Sequence, residues 1–116
     1  MNNLSGQQRE ICKKYSADFV EADGNLVVGV AENLTSEYPL NGLRHPIEGN
    51  TSGWYLWGGE ELSEDPNFFK PMHIKHLIKY RPEVMPYLGL APGWRFLIDP
   101  TTGYQDVWFD ENLLNV

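Results

Sequence analysis

Cysteine occurs once in the 116 residues, as Cys12, so no internal disulfide can form. A lone thiol suits a reducing compartment. As a nucleophile it would need a neighbouring charge or base to lower its pKa, and the sequence names none. No apolar run approaches the roughly twenty residues that cross a bilayer. The N-terminal MNNLSGQQREICKKY also lacks the apolar core and small-residue cleavage site of a secretory leader. A soluble cytoplasmic protein is therefore the expectation. The dinucleotide fingerprint GxGxxG, the phosphate-cradling GxxxxGK[ST] and the GxSxG elbow are missing too. The serines stand in turn contexts without a paired histidine. An enzyme is thereby left unsigned, not excluded, and no cofactor motif is present.

Basic residues are scarce, and unevenly so. Sixteen acids against nine bases give a net charge of −7. From Asp18 to Asp65 there are ten acids and one base, Arg44, whereas Lys70 to Arg81 holds four bases and no acid. Nucleic acids want a basic stripe, and the first sixty-five residues would repel them. A cationic protein would instead be drawn in, with faster encounter as the main effect. A net negative surface also keeps a protein soluble whatever it binds.

Length and composition fit one globular unit: 41% hydrophobic residues and fifteen aromatics lie well away from disordered mixtures. Residues 1–116 read as a single domain, with an N-terminal helical segment over 1–20 and a core over 25–110. Leu4 to Tyr15 holds straight-chain helix formers after Ser5, a capping residue type. Asp23-Gly24-Asn25 is turn chemistry, and LVVGV after it predicts a strand over 26–32, with Leu26, Val28 and Val30 on one face. Residues 33–52, rich in Asn, Pro, Gly, Ser and Thr, read as a long loop pinned by Tyr38, Leu40, Leu43 and Ile47. GWYLW predicts a second strand, with Trp54 and Leu56 on one face and Tyr55 and Trp57 on the other. Both faces are apolar, so the strand is central or it exposes an aromatic pair. Lys70-Pro71-Met72 opens a predicted helix whose buried stripe is Ile74, Leu77 and Ile78, ended by Pro82. GWRFLID and QDVWFD form a hairpin across Pro100-Thr101-Thr102-Gly103. Without a βαβ rhythm, the expected class is α+β: a mostly antiparallel sheet of about four or more strands with two or three helices.

The stretch GWYLWGGEELSEDPNFF concentrates the chemistry. Glu60, Glu61, Glu64 and Asp65 could ligate calcium, but the alternating ligand ladder of an EF-hand is missing. As a glycosidase pair they would need a buried, raised carboxyl at fixed separation, which adjacent loop acids do not supply. A solvated acidic loop after a strand, bent at Gly58-Gly59, accounts for them more simply. His73 and His76, three apart, lack the further ligands of a zinc site and read as exposed histidines beside lysines. His45 stands alone between Arg44 and Pro46. Trp54, Trp57, Trp94 and Trp108 could serve as stacking platforms for a small ligand or carbohydrate.

From about Asn25 to Asp99 the order of features resembles the bacterial immunity protein 33-like domain family, long carried as a domain of unknown function. Ser52-Gly53-Trp54-Tyr55-Leu56-Trp57-Gly58-Gly59-Glu60-Glu61 is similar to its Gly-Trp-aromatic stretch leading to Gly-Asp-Glu, and Asp65-Pro66-Asn67 follows as in its acidic loop. His76 to Leu88 is similar to its helix, Pro turn and apolar segment. Ala91-Pro92-Gly93-Trp94-Arg95-Phe96 stands where a Ser-Pro-x-Gly block precedes the last aromatic strand. Gly59 replaces an Asp, Trp57 takes a small-residue position, and Arg81 replaces an acid before Pro82. The resemblance implies an immunity-like protein that binds and neutralises a cognate toxin in the cytoplasm, with no catalytic role or cofactor. On that footing Trp57, Glu60, Glu61, Glu64 and Asp65 are the expected partner-binding residues, and the toxin is expected to be basic.

Overall fold

The computed structural model describes residues 4–60 and 68–115. Six strands form one sheet in the order β4-β1-β3-β2-β5-β6: β1 (Val27–Ala31), β2 (Leu40–Arg44), β3 (Thr51–Gly58), β4 (Phe69–His73), β5 (Trp94–Asp99) and β6 (Tyr104–Phe109). Only β1 and β3 run parallel; the remaining pairings are antiparallel. With α1 (Leu4–Tyr15), α2 (Ile74–Leu77) and three short 3-10 segments, the class is α+β.

Alternation along the strands sorts the side chains into two layers. On one face Val28, Leu40, Trp54, Leu56, Phe96, Ile98 and Val107 pack against Cys12 of α1, Leu77 of α2, and Val84, Leu88 and Leu90. The 3-10 helix Pro82–Tyr87 packs against α1, and its Tyr87 stacks on Phe96 of β5 at 4.9 Å. Gln8 of α1 donates from Nε2 to the Met85 carbonyl at 2.9 Å, and the Cys12 thiol to that of Gly89 at 3.4 Å. The helix starts at Leu4, so Ser5 lies inside it. Its last turn carries Lys13 and Lys14, a favourable charge for a helix C-terminus. On the other face a smaller cluster gathers Ala31, Leu43, Trp57 and Leu113 with Tyr55, Phe68 and Phe69. The strand GWYLW is thus central and covered on both sides.

Two sequence expectations fail. The predicted loop over 33–52 contains β2, a central strand buried along its whole length. Its sequence, LNGLR, is poor in β-formers, and tertiary fit overrides that preference. Gly42 is there because a Cβ at that position would enter the Phe96 ring and meet Leu56 Cδ2 at 2.8 Å. The helix predicted from Lys70 begins instead as β4, paired to β1 at the sheet's edge. Pro71 fits there because an edge strand has N–H groups without a ladder partner. Only one turn of helix follows, and of the expected stripe Ile74 and Leu77 are buried while Ile78 is 48% exposed.

Arg44, at the end of β2, is fully buried. Its Nε donates to the Ser52 carbonyl at 2.9 Å, and its Nη1 to those of Val20 and Leu90, both at 2.7 Å. Nη2 reaches the Glu21 carbonyl at 3.4 Å, and the guanidinium carbon stands 5.6 Å from the Trp54 ring centroid. Burial pulls its pKa down to about 10, which still leaves it charged at neutral pH. Replacing Arg44 with Met would orphan the Ser52, Val20 and Leu90 carbonyls. A loss of about 3 kcal/mol in urea unfolding is expected, with Arg44→Lys intermediate because an ammonium cannot span all three.

Burial, reinforced by Asp18, pushes the Cys12 thiol above its ordinary value of 9.0. Just above that pH the unfolded chain releases the proton while the folded chain keeps it, so stability falls as pH rises. Denaturation midpoints compared at about pH 8 and about pH 9.5 should show this drop, and Cys12→Ala should shrink it. The native thiol should also react slowly with Ellman's reagent until denaturant is added.

Candidate functional site

The acidic end of the sheet is built by two stitched turns. β1 and β3 finish there, and β2 and β4 begin there. After β3 the chain turns at Gly59, whose φ of +86° is a conformation open to glycine. The Gly58 N–H donates to Asn33 Oδ1 at 2.9 Å, and Asn41 Nδ2 donates to the Gly59 carbonyl at 2.6 Å. The Gly59 N–H reaches the Pro39 carbonyl at 2.9 Å. A Cβ on Gly58 would run into the backbone oxygens of Asn33 and Glu37, and one on Gly59 would lie 3.0 Å from Glu37 Oε1. The 3-10 turn Glu32–Thr35 and the Gly58-Gly59 turn are therefore in contact, which brings Glu32, Glu37 and Glu60 to one end, all three exposed.

Beside these acids lies a groove of about 900 Å³. Its walls include Val30 and Ala31 from the end of β1, Phe68, Pro71 and Met72 around β4, and the segment from Glu32 to Glu37. Lys70 and Tyr80 border it as well. Arg81, the nearest arginine in sequence, is engaged elsewhere: its Nε donates to the Leu34 carbonyl at 2.7 Å, and its Nη1 to the Tyr38 hydroxyl at 3.0 Å. Nη1 also pairs with Glu83 at 3.4 Å. Among the described residues neither Glu32, Glu37 nor Glu60 takes part in an ion pair.

The partner-binding residues expected from sequence are only partly within view. Glu60 is exposed directly after the turn, whereas Glu61, Glu64 and Asp65 lie outside the described residues. Trp57 is 3% exposed and meets Phe69 edge to face at 6.3 Å, so it supports this end from beneath instead of standing on its surface. Its indole Nε1 has no hydrogen-bond partner among the described residues. The other tryptophans make poor platforms. Trp54 is wholly buried, Trp94 packs edge-on to Phe109, and Trp108 lies under the Arg95 guanidinium at 5.3 Å. A stacking site for a carbohydrate is accordingly not favoured.

His73 and His76 are exposed with ring centroids 6.1 Å apart, and among the described residues no cluster of three metal-ligating side chains forms. His45 is structural: Nδ1 lies 2.9 Å from the Leu113 carbonyl, to which it donates, and the ring meets Tyr55 edge-on. Sequence reasoning passed over Asn33, Glu37 and Asn41 because they fell in the apparent loop, and Glu32 because it closed the predicted strand. The available signal was the run of acids without an exposed base.

A family model described as the Imm33-like domain matches residues 7–110, nearly the whole chain. The chain belongs to the Imm33-like family. The match takes in most of α1, all six strands and the acidic end of this Imm33-like domain. No curated protein and no solved structure matches. Among the described residues of the Imm33-like chain, no helix is long and apolar enough to cross a membrane.

The stitching of the two turns is testable. Asn33→Ala leaves the Gly58 N–H without its acceptor and should cost about 1–2 kcal/mol in urea unfolding. Asn33→Asp keeps an acceptor at Oδ1 and should recover most of that loss.

Proposed function

We propose that this Imm33-like protein is an immunity protein of the cytoplasm that neutralises a cognate, basic toxin by docking, without catalysis of its own. The reading rests first on family membership. The observation that carries the choice of surface is the fate of the charges between Asp18 and Glu60. All seven acids of that stretch are exposed, while its one base, Arg44, is 0% exposed. Within this stretch no exposed base offsets the acids, and at the end where Glu32, Glu37 and Glu60 gather they outnumber the exposed Lys70 of the adjoining groove. Such a field steers a cationic partner and selects against acidic ones, chiefly through the association rate.

Glu60 begins the proposed contact surface, and Glu61, Glu64 and Asp65, next in sequence, extend it. Trp57 contributes by holding the base of that surface through its packing with Phe69.

The test takes as candidate partner any toxin-bearing reading frame found beside the gene. Neutralising Glu60, Glu61, Glu64 and Asp65 together, as Gln and Asn, should leave the unfolding transition unchanged. Association with the toxin at low salt should slow by about tenfold or more, with a flatter salt dependence. An unchanged association rate removes this loop from the interface; no protection of cells by the wild-type protein removes the immunity reading.

A further inference from the structure

We propose that the groove beside the acidic turns receives an extended segment of the partner in which a Lys or Arg stands next to apolar side chains. This deepens the docking reading above and rests on it for the partner's identity, though the groove's chemistry can be tested alone.

The argument combines floor and rim. Val30, Phe68, Pro71 and Met72 give the groove an apolar lining, and exposed Glu32 and Glu37 outnumber the one exposed base that lines it, Lys70. An apolar guest would leave both carboxylates facing an uncharged surface, at a desolvation cost. A purely ionic guest would leave the floor wet. A basic side chain with an aliphatic stem meets both demands, because the stem covers apolar surface while the charged head reaches the rim. At about 900 Å³ the groove lies at the upper end of the range of ligand sites, which suits several residues of a chain better than one small cation.

Charge complementarity points the same way. Among the described residues Glu32 and Glu37 have no ion-pair partner, and the neighbouring Arg81 is held by Leu34, Tyr38 and Glu83. The rim also has a fixed shape. The Glu37 N–H donates to the Asn33 carbonyl at 3.0 Å, and Asn33 in turn holds Gly58, so the carboxylates project from a hydrogen-bonded turn.

The probes are two six-residue peptides, one alternating Arg with Leu and one with Glu in place of each Arg, titrated into the isotope-labelled full chain. The basic peptide should shift amide resonances saturably around Glu32, Glu37 and Met72, and the acidic one should not. The double variant Glu32→Gln, Glu37→Gln should weaken that binding by about tenfold. Ser36→Trp, an exposed position lining the groove, should block it by bulk without touching the core. Shifts spread evenly over the acidic surface, or an affinity unchanged by Ser36→Trp, would overturn the groove as the binding place. The two readings fail separately. A toxin bound equally well by the Ser36→Trp variant sinks the groove and spares immunity. A peptide seated in the groove of a protein that protects no cell spares the groove and sinks immunity.

Discussion

The buried guanidinium of Arg44 ties together parts of the chain that lie far apart in sequence. Its three short hydrogen bonds go to carbonyls at positions 20, 52 and 90, which belong to the segment after α1, to β3 and to the approach to β5. Val20 and Leu90 lie outside the strands and Ser52 near the start of β3, so a donor from a distant side chain satisfies carbonyls of three separate segments. Among the described residues no carboxylate is a hydrogen-bond partner of Arg44. The charge is balanced by peptide dipoles and by the face of Trp54, and the lowered pKa records how far this falls short of water. The β2 backbone completes the junction, since the Gly93 N–H donates to the Arg44 carbonyl at 2.8 Å.

From that junction the sheet extends to an end of different character. At the Arg44 end of β2 a cation is consumed internally; at the Leu40 end, two asparagines hold turns that put carboxylates into solvent. Asn33 supplies an acceptor and Asn41 a donor, so backbone groups of both kinds around Gly58-Gly59 are satisfied without charge. The glutamates are left free of structural duty. Neutral groups thus hold the turn while charged groups face outward.

Elements whose pattern follows from local propensity were readable in the sequence. α1 spans the predicted Leu4–Tyr15, and β1, β3 and the β5–β6 hairpin fall where alternation and turn residues indicated. The hairpin closes as its turn chemistry suggests, with the Gly103 N–H on the Asp99 carbonyl at 2.9 Å. β2 was hidden because Asn41, Gly42 and Arg44 each serve a distant partner, and nothing local to LNGLR announces a central strand. β4 was hidden because Pro71 and the following apolar spacing imitate a helix start. At the site, Glu60 could be named from its place after the aromatic strand. Glu32 and Glu37 could not, since their nearness to Glu60 depends on the parallel β1/β3 pairing, a long-range fact. Trp57 was expected as a surface anchor, but Phe68, Phe69 and Leu113 share its cluster and it is enclosed.

The proline at the margin of the sheet bears on how the protein behaves when crowded. A second copy seeking to add a strand alongside Pro71 would find a missing donor in the middle of a five-residue ladder. That border is closed to polymerisation by backbone chemistry alone. Copies of this chain can therefore accumulate without stitching themselves into ribbons from this side.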